Sequence, residues 1–156
     1  MRMISRSVNE TLRIGRSFAR RLKAGDIVCL MGEFGSGKTV LAKGIASGLG
    51  IKKNEIVSPS FVLLRQYCGA RLPLYHFDLY RLKSPADILG LGYEEYLYAD
   101  GVTVIEWPDR LKYLLPENYL GIKLSIIGEQ ARTLEFRAQG QHYRQLLRQI
   151  HEDTGH

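Results

Sequence analysis

The sequence is short of several things that would define other kinds of protein. It holds only two cysteines, Cys29 and Cys68, in no C-x-x-C or zinc-ligand spacing, which argues against a disulfide scaffold or a zinc module. No clean apolar run exceeds about five residues, far below the roughly 20 that a membrane-spanning helix needs. Met1 to Glu10 is polar and broken by arginines, unlike the apolar core of a secretory signal. Internal repeats, low-complexity tracts and linker-like stretches are all missing. Acids are scarce at the start of the chain, where Glu10 alone faces Arg2, Arg6, Arg13, Arg16, Arg20, Arg21 and Lys23. Together these absences predict a soluble, cytoplasmic chain of 156 residues in a single domain.

What is present supports a packed core, since hydrophobic residues make up 45% of the chain and disorder is excluded on that ground. The formal net charge of +6 suits acidic partners such as nucleotides or RNA, without bearing on fold. Arg13, Arg16, Arg20 and Lys23 would form a stripe on one helix face. A solvated face is the simplest account of that stripe, and an RNA or protein patch is the alternative.

One stretch organises the rest. Gly32-Glu33-Phe34-Gly35-Ser36-Gly37-Lys38-Thr39 fits G-x-x-x-x-G-K-[ST], the phosphate-binding loop. Glycines let the backbone bend so that its N–H groups approach phosphate oxygens. The Lys38 ammonium would reach the β- and γ-phosphates, and the Thr39 hydroxyl would take one position on Mg²⁺. The flanks agree. Ile27-Val28-Cys29-Leu30-Met31 reads as a strand buried on both faces, which makes Cys29 a small buried hydrophobe. Val40, Leu41, Ala42, Ile45, Ala46 and Leu49 follow at helical spacing, and Gly50 stops the helix.

The remaining elements predict an α/β chain with a mixed central sheet flanked by helices and carrying antiparallel hairpins. Ser7 to Glu10 reads as a capping box opening a helix to about Leu22. Pro59 puts a loop before a strand ending at Tyr67, and Gly69-Ala70-Arg71 turns it into a returning strand, Leu72 to Asp78. Ser84-Pro85-Ala86-Asp87 starts a short helix that Gly90 and Gly92 break. Val102 to Glu106 is a second buried strand, ended by Trp107-Pro108. Tyr119 to Ile127 and Arg132 to Ala138 form a second hairpin around Gly128, and His142 to His151 closes the chain as a helix.

ATP hydrolysis needs a carboxylate on the magnesium, a positioned water and positive charge at the transferred phosphoryl group. Two carboxylates end apolar strands, Asp78 and Glu106. Open α/β sheets bind ligands beyond the C-terminal ends of their parallel strands. Glu106 follows the more continuous apolar run and is assigned to Mg²⁺, directly or through water. Asp78 would orient or deprotonate the attacking water, or share the metal. Ser60 is a candidate switch hydroxyl sensing the γ-phosphate. Arg65 and Arg81 read as surface residues, with charge stabilisers the alternative; Trp107 reads as core or pocket wall, and His76 as structural.

Leu74-Tyr75-His76-Phe77-Asp78-Leu79-Tyr80-Arg81-Leu82, Ser58-Pro59-Ser60-Phe61 and Glu106-Trp107-Pro108, set around this P-loop, resemble the TsaE (formerly YjeE) family. These are small bacterial ATPases of the pathway that makes N6-threonylcarbamoyladenosine at position 37 of tRNA. The resemblance runs from Thr11 to about Arg132. It implies a P-loop NTPase fold, with Glu33, Phe34, Gly35, Ser36, Gly37, Lys38 and Thr39 holding the phosphates of ATP. It also implies Thr39 and Glu106 as magnesium ligands and Asp78 as the catalytic-region aspartate. Val8 and Gly128 fall where family members touch the nucleotide. Ser60 stands where many members carry threonine, and Glu33 where aspartate is commoner. The resemblance implies work with a threonylcarbamoyl-transferase subunit and its heterodimer partner, of TsaD and TsaB type, with tRNA reached through that complex.

Two other functions fit the P-loop or the charge less fully. A P-loop small-molecule kinase would usually bring an arginine-bearing lid, but Ser84 to Tyr98 has no arginine and is rich in Asp, Glu and Tyr. A nucleic-acid module would rest on the basic first helix alone.

Overall fold

The computed structural model describes residues 1–56 and 63–155. Its centre is a seven-stranded mixed sheet in the order β1-β7-β6-β2-β5-β4-β3. Four neighbouring strands are parallel: β6 (Tyr119–Ile126), β2 (Ile27–Met31), β5 (Val102–Glu106) and β4 (Leu74–Asp78). Antiparallel strands finish both edges. β3 (Leu64–Tyr67) pairs with β4, while β7 (Arg132–Gln139) pairs with β6 and with β1 (Arg2–Ser5). The two expected hairpins are therefore present.

β2 is apolar on both faces because both are covered. Val28 and Leu30 pack beneath α1 (Val8–Ala19), α2 (Lys38–Gly48) and α4 (Gln141–Asp153). Ile27 and Cys29 face the other way, against Phe77, Ile105 and the short helix α3 (Pro85–Leu89) with its following 3₁₀ turns. Burial pushes the Cys29 thiol up, as a sulfur with no polar role would behave. Among the described residues no helix is long and apolar enough to cross a membrane.

Local signals explain the helix ends. The Ser7 hydroxyl accepts from Glu10 N at 3.0 Å, and the Glu10 carboxylate accepts from Arg6 N at 2.6 Å. The box thus closes one residue earlier than its usual form. α1 ends at Ala19, not Leu22, because the last turn tightens into i→i−3 bonds, Arg21 N to Phe18 O and Leu22 N to Ala19 O. Leu22 stays buried, so the apolar period outruns the regular helix. The Arg71 guanidinium donates to the carbonyl of Leu22 and, alongside Leu22 N, to that of Ala19.

Two features are absent from the sequence reading. One is β1, whose polar stretch becomes a strand by pairing with β7. The other is the α1–α2 contact. A Cβ on Gly44 would stand 2.5 Å from Leu12 O, and one on Gly48 would stand 2.6 Å from Arg16 O. The two helices pack backbone to backbone, and that fixes how α2 carries the loop at its N-terminus. Arg13, Arg16, Arg20 and Lys23 are all exposed.

Candidate functional site

Strand parity and register build this site. In β5, Val102, Val104 and Glu106 alternate with Thr103 and Ile105. The alternation that buries Val104 on the α2 side therefore delivers Glu106 to the same side. In β4, Leu74, His76 and Asp78 share that side by the same rule. Parallel pairing sets Asp78 beside Glu106 at the C-terminal ends of both strands. The glycine-rich loop leaves β2, the next strand over, at this end of the sheet.

The loop is shaped by positions only glycine can fill. Gly32 has φ 149°, and a Cβ there would meet the Ser36 hydroxyl at 2.5 Å and Leu124 O at 2.6 Å. Gly37, at φ 102°, turns the chain into α2 as its N-cap. Lys38 opens the helix and folds back, its Nζ donating to Gly32 O at 2.7 Å and Glu33 O at 2.8 Å. The same ammonium lies 4.3 Å from the centroid of the Trp107 ring. Burial lowers the Lys38 pKa, and the carboxylates of Glu106 and Asp78 oppose that shift.

Glu106 is buried, with both oxygens engaged. Thr39 donates its hydroxyl to Oε1 at 3.1 Å, and His76 Nε2 lies 2.7 Å from Oε2. Asp78 is half-buried and accepts from Tyr80 N at 3.1 Å. Loss of hydration is the main cause of its raised pKa. The Tyr80 bond works against that shift, the Glu106 charge adds to it, and the His76 and Lys38 charges also work against it. Lys38, Thr39, Asp78 and Glu106 therefore form one cluster.

The flanking residues divide. Ser36 is buried, while Glu33, Gly35 and Phe34 lie on the open side, Phe34 at 78% exposure. The Phe34 ring leans on Tyr80, and Tyr80 on Trp107, with centroids 5.8 and 5.2 Å apart. Trp107 is a wall of the site, as expected. Gly128 is tied to the loop through a residue the sequence did not single out. The Arg132 guanidinium donates to Gly128 O at 3.1 Å, to Ser36 O at 3.2 Å and to Gly35 O at 3.3 Å. Val8 is 58% exposed in the first turn of α1, three residues after Ser5, which pairs with Arg132. Its link to the loop is indirect. Ser60 lies outside the described residues.

His76, read as structural from its apolar neighbours, is buried, and its partner Glu106 was not foreseen. The available signal was parity, since His76 and Asp78 are two apart on one strand. Arg65, read as a surface residue, is half-buried across from His76, and its Nε is buried without a partner among the described residues.

A glycine-rich loop between a central parallel strand and a helix, with strand-end carboxylates beside its lysine and threonine, defines the P-loop NTPase fold. The model of the threonylcarbamoyl adenosine biosynthesis protein TsaE matches residues 5–134, and the chain belongs to the TsaE family. It is 45% identical to the tRNA threonylcarbamoyladenosine biosynthesis protein TsaE of Treponema pallidum over 134 residues, covering 86% of this chain and 98% of that one. The protein of the same name from Bacillus subtilis is 37% identical over 147 residues, 93% of this chain and 91% of its own. The crystal structure of Bacillus subtilis YdiB superimposes with a TM-score of 0.83 at 31% identity, over 99% of this chain and 95% of that one.

Proposed function

We propose that this chain is a magnesium-dependent ATPase of tRNA threonylcarbamoyladenosine biosynthesis. It works in the cytoplasm as a single domain, in complex with a TsaD-type transferase subunit and its TsaB-type partner, and reaches tRNA through them. Family membership supports the pathway. The contact between Thr39 and Glu106, 3.1 Å long and beside Lys38, carries the ATPase reading.

The loop's backbone N–H groups, from Glu33 to Thr39, cradle the phosphates, and Lys38 turns from the Gly32 and Glu33 carbonyls to the β- and γ-phosphates. The donor set suits magnesium, which prefers oxygen and is held by one or two carboxylates together with phosphate oxygens. Among the described residues no group of three or more His, Cys, Asp or Glu forms a metal cage. The ion would thus rest on Thr39, Glu106 and the nucleotide. There it would neutralise charge developing on the phosphate oxygens. Asp78, kept partly from water, orients the attacking water. Its raised pKa moves it toward the range of a useful base. Val8 and Gly128 flank the nucleotide, and Ser60 senses the γ-phosphate.

ATP turnover measured with and without Mg²⁺, and with and without the transferase heterodimer, tests this reading. Slow Mg²⁺-dependent release of phosphate that the heterodimer accelerates is expected, because positive charge for the γ-phosphate can arrive in trans. Metal-independent turnover, or the same rate in Lys38→Ala, would sink it.

A further inference from the structure

We infer that His76 is a positioning residue that holds the Glu106 carboxylate in the orientation its metal-binding role requires; this rests on the nucleotide reading above. The ring is buried in β4, two residues before Asp78, and its Nε2 lies 2.7 Å from Glu106 Oε2. A carboxylate acting as acceptor here requires a proton on His76 Nε2, which then donates. A carboxylate rotates about its last bond unless something holds it. Here the strand backbone fixes where Glu106 begins, and the imidazole fixes where it points. With Oε2 occupied by His76, Oε1 is the oxygen turned toward Thr39, 3.1 Å away. Thr39 opens α2, so this is the side from which a magnesium ion bridging the loop would approach.

The geometry also accounts for a histidine in this place. On this face β4 otherwise carries Leu74 and, at the strand end, Asp78, and a buried carboxylate with an unsatisfied oxygen is costly. An aliphatic residue at position 76 would fill the space and leave Oε2 without a donor. Outer partners of metal ligands commonly change metal affinity or activity by about 10–100-fold when removed.

Three forms of the full-length protein test the inference: wild type, His76→Leu and His76→Gln. The glutamine amide can present an N–H close to where Nε2 stood. Trp107 is the chain's single tryptophan and lies 4.3 Å from Lys38 Nζ, so its fluorescence reports ATP binding as MgCl₂ is titrated. His76→Leu is expected to raise the Mg²⁺ concentration for half-maximal response about tenfold. Affinity for metal-free ATP should stay near wild type, and His76→Gln should recover most of the loss. A merely structural role would lower the melting temperature of His76→Leu with its Mg²⁺ midpoint unmoved, and that result overturns the inference. Nitrogen-15 spectra of the ligand-free wild type supply a check that needs no variant to fold. A proton on His76 Nε2 is expected, and one found only on Nδ1 overturns the inference. A wild type with no Mg²⁺-dependent response overturns the nucleotide reading and this inference together. A wild type that responds, with His76→Leu matching it, overturns this inference alone.

Discussion

The two faces of the sheet are built differently. The face beneath α1, α2 and α4 is covered by regular helices, two of them in glycine-mediated contact, with a plain aliphatic core and an arginine stripe in solvent. The opposite face is covered by one short helix and 3₁₀ turns rich in tyrosine. Among the described residues, every non-glycine residue with positive φ (Tyr98, Trp107 and Lys112) lies in that second cover. Strained backbone of this kind persists only where surrounding packing holds it, and it gathers near functional sites. Trp107 makes the point: its left-handed turn ends β5 and swings the indole against Lys38. The helical face supplies rigidity and carries the loop; the irregular face supplies the wall around it.

That division can be broken by experiment. The largest effect is expected from Lys38→Ala. Losing charge-assisted bonds worth about 1.5–3 kcal/mol each should weaken nucleotide binding by roughly 100-fold, seen by calorimetry, while the melting temperature barely moves. Gly44→Ala should do the reverse. Its Cβ collides with Leu12 O, and overpacking of about 2–3 kcal/mol should lower the midpoint by roughly 5–10 °C. Nucleotide affinity below the transition should be kept, and a large loss of affinity would show that the faces are not separable.

Arg132→Ala is expected to sit between these. It cuts the strap from the β6–β7 turn to Ser36 and Gly35, so amide exchange in the loop should quicken and affinity should fall about 3–10-fold. The smallest effect belongs to Asp78→Asn. Burial raises the Asp78 pKa in the folded state, so folding favours its protonated form. That contribution is complete below the ordinary carboxylate range and is lost as pH rises through the raised folded value. The variant should therefore melt a few degrees higher than wild type at pH 7, with the gain fading as pH falls, while its ATP turnover is reduced. An equal gain at every pH would place the cause elsewhere.

Much of the site was legible because it is local. A P-loop spans eight neighbouring positions, and its strand and helix carry their own periods. Asp78 and Glu106 were legible as carboxylates ending apolar runs. His76, Arg132 and the indole–ammonium contact were not, because each depends on a partner far along the chain. Glu106 is 30 residues from His76, and Ser36 is 96 residues from Arg132. β1 was hidden for the same reason: Arg2 to Ser5 has little strand pattern of its own and is extended because β7 offers it an edge.

By itself the sequence determined which segments are strands and helices around the loop, which residues bend it, and which carboxylates end the central strands. Those properties follow from backbone sterics, apolar period and chemistry within a few residues. Tertiary structure alone decided that β4, β5 and β2 lie side by side, that parity turns His76, Asp78 and Glu106 to one face, and that α1 presses close enough on α2 to aim the loop at them. Register and helix contact come from burying apolar surface across the whole chain, and no short stretch contains both partners.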